Sequence, residues 1–214
     1  MTTPLDRPVI LLGGGGHARV LLDLLALLGA KVLGVTTRDG AGTPPLPGIA
    51  VLGDDRVLEK YPPGEIFLVN ALGYTKASDV RKKTQEKHSA LGYAFPTMKH
   101  PAAVVSSFAT LESGCQIMAG AVVQACARIG AGAIINTRAS IDHDCSIGAY
   151  AHIAPGATLS GSVHVGECSL IGVGATVIQD VRIGRMTTVG AGSVVIRDLP
   201  DNVTACGVPA SPSP

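Results

Sequence analysis

Ala133-Ile134-Ile135-Asn136-Thr137-Arg138-Ala139-Ser140-Ile141-Asp142-His143-Asp144-Cys145-Ser146-Ile147 carries in fifteen residues the pattern that decides the fold. An aliphatic residue stands at Ile135, Ile141 and Ile147, with a small residue two places before each, at Ala133, Ala139 and Cys145. Followed outward at the same spacing, the aliphatic series runs unbroken from Val105 and Leu111 to Val189 and Val195, sixteen hexads in all. The residue two places earlier is small or β-branched throughout, from Ala103 to Ser193, and glycine often follows, as at Gly130, Gly148, Gly166, Gly172, Gly184 and Gly190. A period of six matches neither the helical period of about 3.6 nor the strand period of about 2. It matches a parallel β-helix of short strands and tight corners, in which each coil stacks on the one below and buries one aliphatic side chain per hexad. The small residue fits where three walls crowd together, and glycine is expected to adopt the unusual backbone angles of the corners.

Upstream the pattern changes. Pro8-Val9-Ile10-Leu11-Leu12 is a continuous apolar run ending in Gly13-Gly14-Gly15-Gly16-His17, and Ala18 to Leu28 carries leucines on every side. This predicts a buried strand, a glycine turn and a buried helix closed by Gly29. Lys31 to Thr36 predicts the second strand of a βαβ unit, and Ile49 to Leu52 a weaker one before a short helix begun at Asp54-Asp55. Ile66 to Asn70 predicts another buried strand with Ala71-Leu72-Gly73 as its loop. Ser78-Asp79 predicts the cap of a helix reaching about Leu91, and Tyr93 to Phe95 a last strand. Such alternation means a small parallel sheet flanked by helices. With Pro96 to Pro101 as linker, residues 1–98 form a small Rossmann-like α/β domain and residues 99–214 the β-helix.

Composition narrows the function. The formal charge of the 214 residues is only +1, with no basic run and no stacking aromatics, which argues against nucleic acid as a partner. Aromatics at 3% and the lack of Trp suit a solenoid whose core is one aliphatic residue wide. The five cysteines lack metal-binding or secretory spacing, so reduced, structural thiols are expected. The most apolar stretch, Val20 to Leu28, contains Asp23 and is too short to span a bilayer. No signal peptide is apparent, and a cytoplasmic protein without a membrane partner is expected.

Two stretches carry chemistry. Gly13-x-Gly15-x-x-Ala18 matches the looser dinucleotide fingerprint: glycines let phosphate oxygens approach the backbone, and the helix N-terminus offers free N–H groups. A diphosphate is the expected ligand. NAD is disfavoured, because the second strand ends Val35-Thr36-Thr37-Arg38 with no carboxylate at its tip. His143 sits two places after a core aliphatic, hence at a corner and facing outward. A neutral imidazole there can take a proton, and either Asp142 or Asp144 could fix its tautomer and raise its basicity. His152, nine residues on, lies half a coil away and could meet His143 only across a subunit interface. A zinc site from His143, His152 and His164 would likewise need several subunits, since steps of nine and twelve residues do not stack on one face. A solenoid this slim closes naturally as a cyclic trimer.

Together the motifs resemble the sialic-acid O-acetyltransferase and nucleotide-amino-sugar N-acetyltransferase family of hexapeptide-repeat acyltransferases. The resemblance is carried by Gly13 to His17, Asn70-Ala71-Leu72-Gly73, His100-Pro101-Ala102-Ala103-Val104-Val105, the run from Ile135 to Gly148, His152-Ile153-Ala154-Pro155-Gly156, and Gly207-Val208-Pro209-Ala210. It implies trimers of left-handed β-helices with acetyl-CoA in the cleft between neighbours and the nucleotide on the small domain. It further implies that His143 is the general base, oriented by Asp144, and that His152 contacts the acetyl donor from the neighbouring subunit. The Gly161 N–H would bind the thioester carbonyl, and backbone around Val173 and Ala191 would meet the pantetheine arm. Gly15, Gly16, His17 and Gly73 would contact the nucleotide sugar, with Asn136 close to the sugar end. Members that bind UDP-sugars often carry acidic residues where this chain has Thr36-Thr37-Arg38, which argues against uridine and leaves GDP- or dTDP-sugars open, GDP-perosamine among them. The function implied is N-acetylation of a nucleotide-linked 4-amino-4,6-dideoxy sugar, with O-acetylation of a sialic acid or related sugar as the alternative.

Overall fold

The structure, a computed structural model, describes residues 5–212. It contains two compact units. The first comprises the described residues up to Gly73 together with Lys83–Pro96; the second comprises Tyr74–Lys82 together with the described residues from Thr97 onward.

The first unit is built on a parallel sheet of four strands: β1 (Val9–Leu12), β2 (Val32–Thr36), β3 (Val51–Gly53) and β4 (Phe67–Asn70), in the order β3-β2-β1-β4. β1 is central and wholly buried, which is why its sequence is a continuous apolar run rather than an alternating one. Helix α1 (Gly16–Leu27) follows it and buries Ala18, Leu21, Leu22, Leu24 and Leu25. Gly29, at φ +65°, ends the helix, its N–H donating to Ala26 O and that of Ala30 to Leu25 O. Asp54 caps a 3-10 helix over Asp55–Lys60 by accepting the Arg56 N–H. The expected strand over Tyr93 to Phe95 shrinks to a single bridge between Ala94 and Phe67. Pro96 has no N–H with which to extend the ladder. From β1 the chain moves outward through β2 and β3, then returns to the other flank as β4. The carboxyl ends of β1 and β4 therefore border the point where strand order reverses, the usual place for a ligand in such a sheet.

The second unit is a parallel β-helix. Ile129 pairs with Leu111 below and Ile147 above, Ile135 with Ile117 and Ile153, and Ile141 with Val123 and Leu159. Partners lie eighteen residues apart, so three hexads make one coil and each hexad contributes a two-residue strand to one of three sheets. The aliphatic residues and the small residues two places before them form one continuous buried cluster. A fully buried aliphatic side chain contributes about 1.5–3 kcal/mol.

The corners correct one expectation. The glycines after the aliphatic residues do not supply positive φ. They are required by the next coil: a Cβ on Gly130 would lie 2.6 Å from the Ala149 nitrogen, and one on Gly148 2.6 Å from that of Glu167. The left-handed backbone falls two residues later, on Gly132 and Gly156 but also on Arg138, Asp144, Tyr150 and Ser162. The solenoid also begins one hexad before Val105. Met98–Lys99 pairs with Gln116–Ile117, and Lys99 occupies the aliphatic slot, which hides this strand from the pattern. At the far end Thr188 pairs with Thr204, sixteen residues on, and Ala210–Pro212 turns back antiparallel.

The segment Tyr74–Lys82, which includes the first turn of helix α2 (Val80–Ala90), lies on the β-helix. The Tyr74 hydroxyl donates to Tyr150 O (2.5 Å), the Ala77 N–H to Thr188 Oγ1 (2.8 Å), and Arg81 to Gly132 O (3.2 Å), while Lys82 pairs with Glu167 at 2.8 Å. Arg81 is fully buried, and burial lowers its pKa to about 10. No described helix is long and apolar enough to cross a membrane.

Candidate active site

At the corner after Ile141, Asp142 and Asp144 take different tasks. Asp142 Oδ1 accepts the His143 backbone N–H at 2.7 Å. Asp144, at φ +59°, presents its carboxylate to the ring, and His143 Nδ1 donates to Asp144 Oδ2 at 2.8 Å. Which of the two carboxylates faces the imidazole is thus decided by the left-handed turn at Asp144. That hydrogen bond raises the His143 pKa above its ordinary value; the slight desolvation opposes it, and the charges of Asp142, Asp144 and Asp180 add to it. With Nδ1 carrying the proton, Nε2 holds a free lone pair on an exposed side chain. Gly161, one coil further along the chain, lies directly against the ring. A Cβ there would stand 2.5 Å from His143 Cε1 and 2.6 Å from Nε2, so only glycine admits the imidazole. Gly161 is buried, and its N–H has no hydrogen-bond partner among the described residues.

His152 belongs to a different sheet, in the strand His152–Ile153 that pairs with Ile134–Ile135. It is 8% exposed, and the Tyr74 ring meets it edge-on with centroids 5.3 Å apart. Asn136 accepts the Thr137 N–H on Oδ1 at 2.8 Å, which turns its amide Nδ2 toward His152 Nε2 at 3.0 Å. The structure therefore joins Asn136 to His152, not to His143. Val173 and Ala191 stack one coil apart, each two residues past a strand of the sheet that holds His152. Within one chain they lie at a different corner from His143 and Gly161. His143, His152 and His164 stand on three separate parts of the perimeter, and no group of three His, Cys, Asp or Glu side chains able to hold a metal forms among the described residues.

In the first unit Gly15 caps α1 and Gly16 opens it, and a Cβ on either would meet nothing within 4 Å, which leaves the helix N-terminus open to a ligand. Gly13, at φ +107°, packs against Leu72 and Ala71, and a Cβ on Gly73 would lie 3.4 Å from His17 Cβ. Gly15, Gly16, His17 and Gly73 thus line the crevice between β1 and β4. Sequence reasoning found no carboxylate at the tip of β2. The structure brings one there from another segment: Thr36 Oγ1 donates to Asp55 Oδ1 at 2.7 Å. Asp54-Asp55 read only as a helix start, and neither Asp55 nor Tyr74 has a spacing that would have revealed its place.

The profile of the bacterial transferase hexapeptide family (six repeats) matches residues 127–161. Among solved structures, a histidine-to-asparagine variant of perosamine N-acetyltransferase from Caulobacter crescentus, in complex with CoA and GDP-perosamine, is 40% identical. The similarity spans all of both chains with a TM-score of 0.91. The chain belongs to the hexapeptide-repeat acyltransferases, in their sialic-acid O-acetyltransferase and nucleotide-amino-sugar N-acetyltransferase group. It is also similar to the acetyltransferase domain of PglB from Neisseria gonorrhoeae, in complex with acetyl coenzyme A. That likeness has 37% identity, covers 98% of this chain and 100% of the other, and has a TM-score of 0.90. WeeI from Acinetobacter baumannii, at 23% identity, 97% and 100% coverage and a TM-score of 0.76, shares the fold. Comparison with curated proteins finds no match.

Proposed function

We propose that this chain is an acetyl-CoA-dependent N-acetyltransferase acting on the amine of a nucleotide-linked 4-amino-4,6-dideoxy sugar, GDP-perosamine or a UDP or dTDP analogue. The observation that carries this is the corner where His143, held by Asp144, stands over bare Gly161 with Nε2 free. The full-length similarity to an enzyme in complex with CoA and GDP-perosamine supports it. In this reading residues 1–98 form a Rossmann-like domain that holds the nucleotide through Gly15, Gly16, His17 and Gly73. Residues 99–214 form a left-handed β-helix that works as a cytoplasmic homotrimer. His152, Val173 and Ala191 of one subunit face His143 of the next across the acetyl-CoA cleft, and Asn136 fixes the ring of His152.

The amine nitrogen attacks the thioester carbonyl carbon while His143 Nε2 accepts its proton. Asp144 keeps the proton on Nδ1 and offsets the charge of the imidazolium that forms. The Gly161 N–H donates to the carbonyl oxygen as it becomes an oxyanion, a contact worth about 3 kcal/mol, and the base contributes about 10²–10⁴-fold. The carbon–sulfur bond then breaks and the imidazolium returns the proton to the departing thiolate. No acyl-enzyme is needed. Cys145 points inward, its thiol donates to Ser160 O at 3.1 Å, and burial pushes its pKa up, so it is no thiolate nucleophile.

Thermal unfolding with millimolar coenzyme A, GDP, UDP, dTDP and CMP, combined with thiol release from acetyl-CoA in the presence of GDP-perosamine, tests this. Stabilisation by coenzyme A and one nucleoside diphosphate is expected, with thiol release that depends on the amino sugar. Lack of any response to coenzyme A would remove the acetyltransferase assignment. A response to CMP alone would turn it toward O-acetylation of a sialic acid.

A further inference from the structure

The first unit carries a cavity of about 810 Å3 between the tip of β2 and the later turns of α2, with Thr37 and Arg38 at one end and Asp55, Lys87, His88 and Tyr93 along its wall. Thr37 also borders the glycine loop, since a Cβ on Gly14 would lie 3.2 Å from Thr37 Cγ2. A nucleotide whose diphosphate rests on that loop thus reaches the cavity across Thr37.

Two groups in the wall are fixed and incompletely used. Asp55 is held through Oδ1 by the Thr36 hydroxyl at 2.7 Å. His88 is 2% exposed, and its Nδ1 meets the Thr84 carbonyl oxygen at 2.8 Å. A carbonyl only accepts, so Nδ1 carries a proton, and in the neutral ring Nε2 then presents a lone pair. That lone pair lies 3.7 Å from Asp55 Oδ2, too far for a hydrogen bond. Two acceptors, one of them deeply buried, face a gap that no protein donor fills. Such an arrangement is completed by a ligand edge that offers donors side by side.

Building on the nucleotide-sugar function above, we propose that this cavity takes the nucleobase and that Asp55 with His88 selects guanine. Guanine presents a ring N–H and an exocyclic amino group next to each other on one edge, two donors for two facing acceptors. Its O6 and N7 are acceptors, for which Arg38 and Lys87 supply N–H groups. Uracil and thymine offer a single N–H between two carbonyl oxygens, which would set oxygen lone pairs against the Asp55 carboxylate. Asp55 supplies, through Thr36, the carboxylate that the β2 tip lacks in sequence.

Calorimetric titration of the full chain with GDP, IDP, UDP and dTDP tests this, on the wild type and on Asp55→Asn and His88→Leu. IDP differs from GDP only in lacking the amino group. GDP is expected to bind at least about tenfold more tightly than IDP, UDP or dTDP, in line with the discrimination given by one paired hydrogen-bonding edge. Asp55→Asn should bring GDP to within about threefold of IDP while leaving coenzyme A affinity unchanged. UDP or dTDP binding as tightly as GDP, a wild-type GDP-to-IDP ratio near one, or a ratio that survives Asp55→Asn overturns the assignment. The wild-type series decides on its own if the variants do not fold. Coenzyme A binding with acetylation of a UDP- or dTDP-linked amino sugar would leave the acetyltransferase function standing while guanine selection fails.

Discussion

Replacing Gly161 by alanine places one methyl group under the imidazole of His143 and nothing else. The added Cβ would lie 2.5 Å from Cε1, 2.6 Å from Nε2 and 3.2 Å from Nδ1, whereas ordinary contact begins at 3.4 Å. The ring must therefore retreat by about 0.8–0.9 Å, or swing away and stretch the 2.8 Å hydrogen bond to Asp144. Gly161 does not have positive φ, so alanine meets no backbone strain, and the exposed ring can move without disturbing the core. Misplacement of a catalytic group by about 1 Å costs on the order of 10²-fold in rate, about 2.7 kcal/mol. Gly161→Ala is thus expected to lower kcat for acetyl transfer about 10²-fold, while the melting temperature stays within about 3 °C of the wild type. The assay is thiol release from acetyl-CoA at saturating amino sugar, alongside thermal unfolding followed by circular dichroism. A variant that keeps kcat within about threefold would show that the ring over Gly161 is not where the proton is taken.

Two further outcomes follow from named contacts. The base works only when neutral, so kcat/KM should rise with pH through a His143 pKa held above the ordinary histidine value, chiefly by the Asp144 hydrogen bond. Asp144→Asn removes the carboxylate charge and leaves at most a weaker, neutral hydrogen bond, so the acid limb should move to lower pH with a plateau lower by about tenfold or more; an unmoved limb in the pH–rate profile would assign it to another group. Ile153 is fully buried between Ile135 and Ile171, so Ile153→Ala should cost about 2–5 kcal/mol, read as a lower urea midpoint at an unchanged slope, and a loss below about 1 kcal/mol would contradict the stacked core.

The solenoid was readable because every coil repeats one physical requirement. Each hexad must place one aliphatic and one small side chain inside a narrow core, and sixteen repetitions leave little room for another fold. The glycine loop and the strand–helix alternation before it were readable for a similar reason, since each is a local requirement met by adjacent residues. What failed to show lay at the edges of these patterns: Lys99 in an aliphatic slot of the first strand, and Ala94 reduced to a lone bridge before Pro96.

Sequence alone determined that His143 faces outward beside two carboxylates, because its position in the hexad fixes the direction of its side chain. Only the tertiary structure decided between the carboxylates, since the choice depends on the left-handed φ of Asp144, which a non-glycine residue does not announce. Contacts between distant segments were equally hidden: Asp55 against Thr36, and Tyr74 against His152. The two hidden contacts join residues 19 and 78 positions apart, and neither partner carries a local signal of the other. Gly161, by contrast, stands eighteen residues, one coil, beyond His143, and the repeat by itself puts the two at the same corner. Hexad spacing fixes where a residue sits on the perimeter, but the turn at each corner and the packing between distant segments fix what it touches.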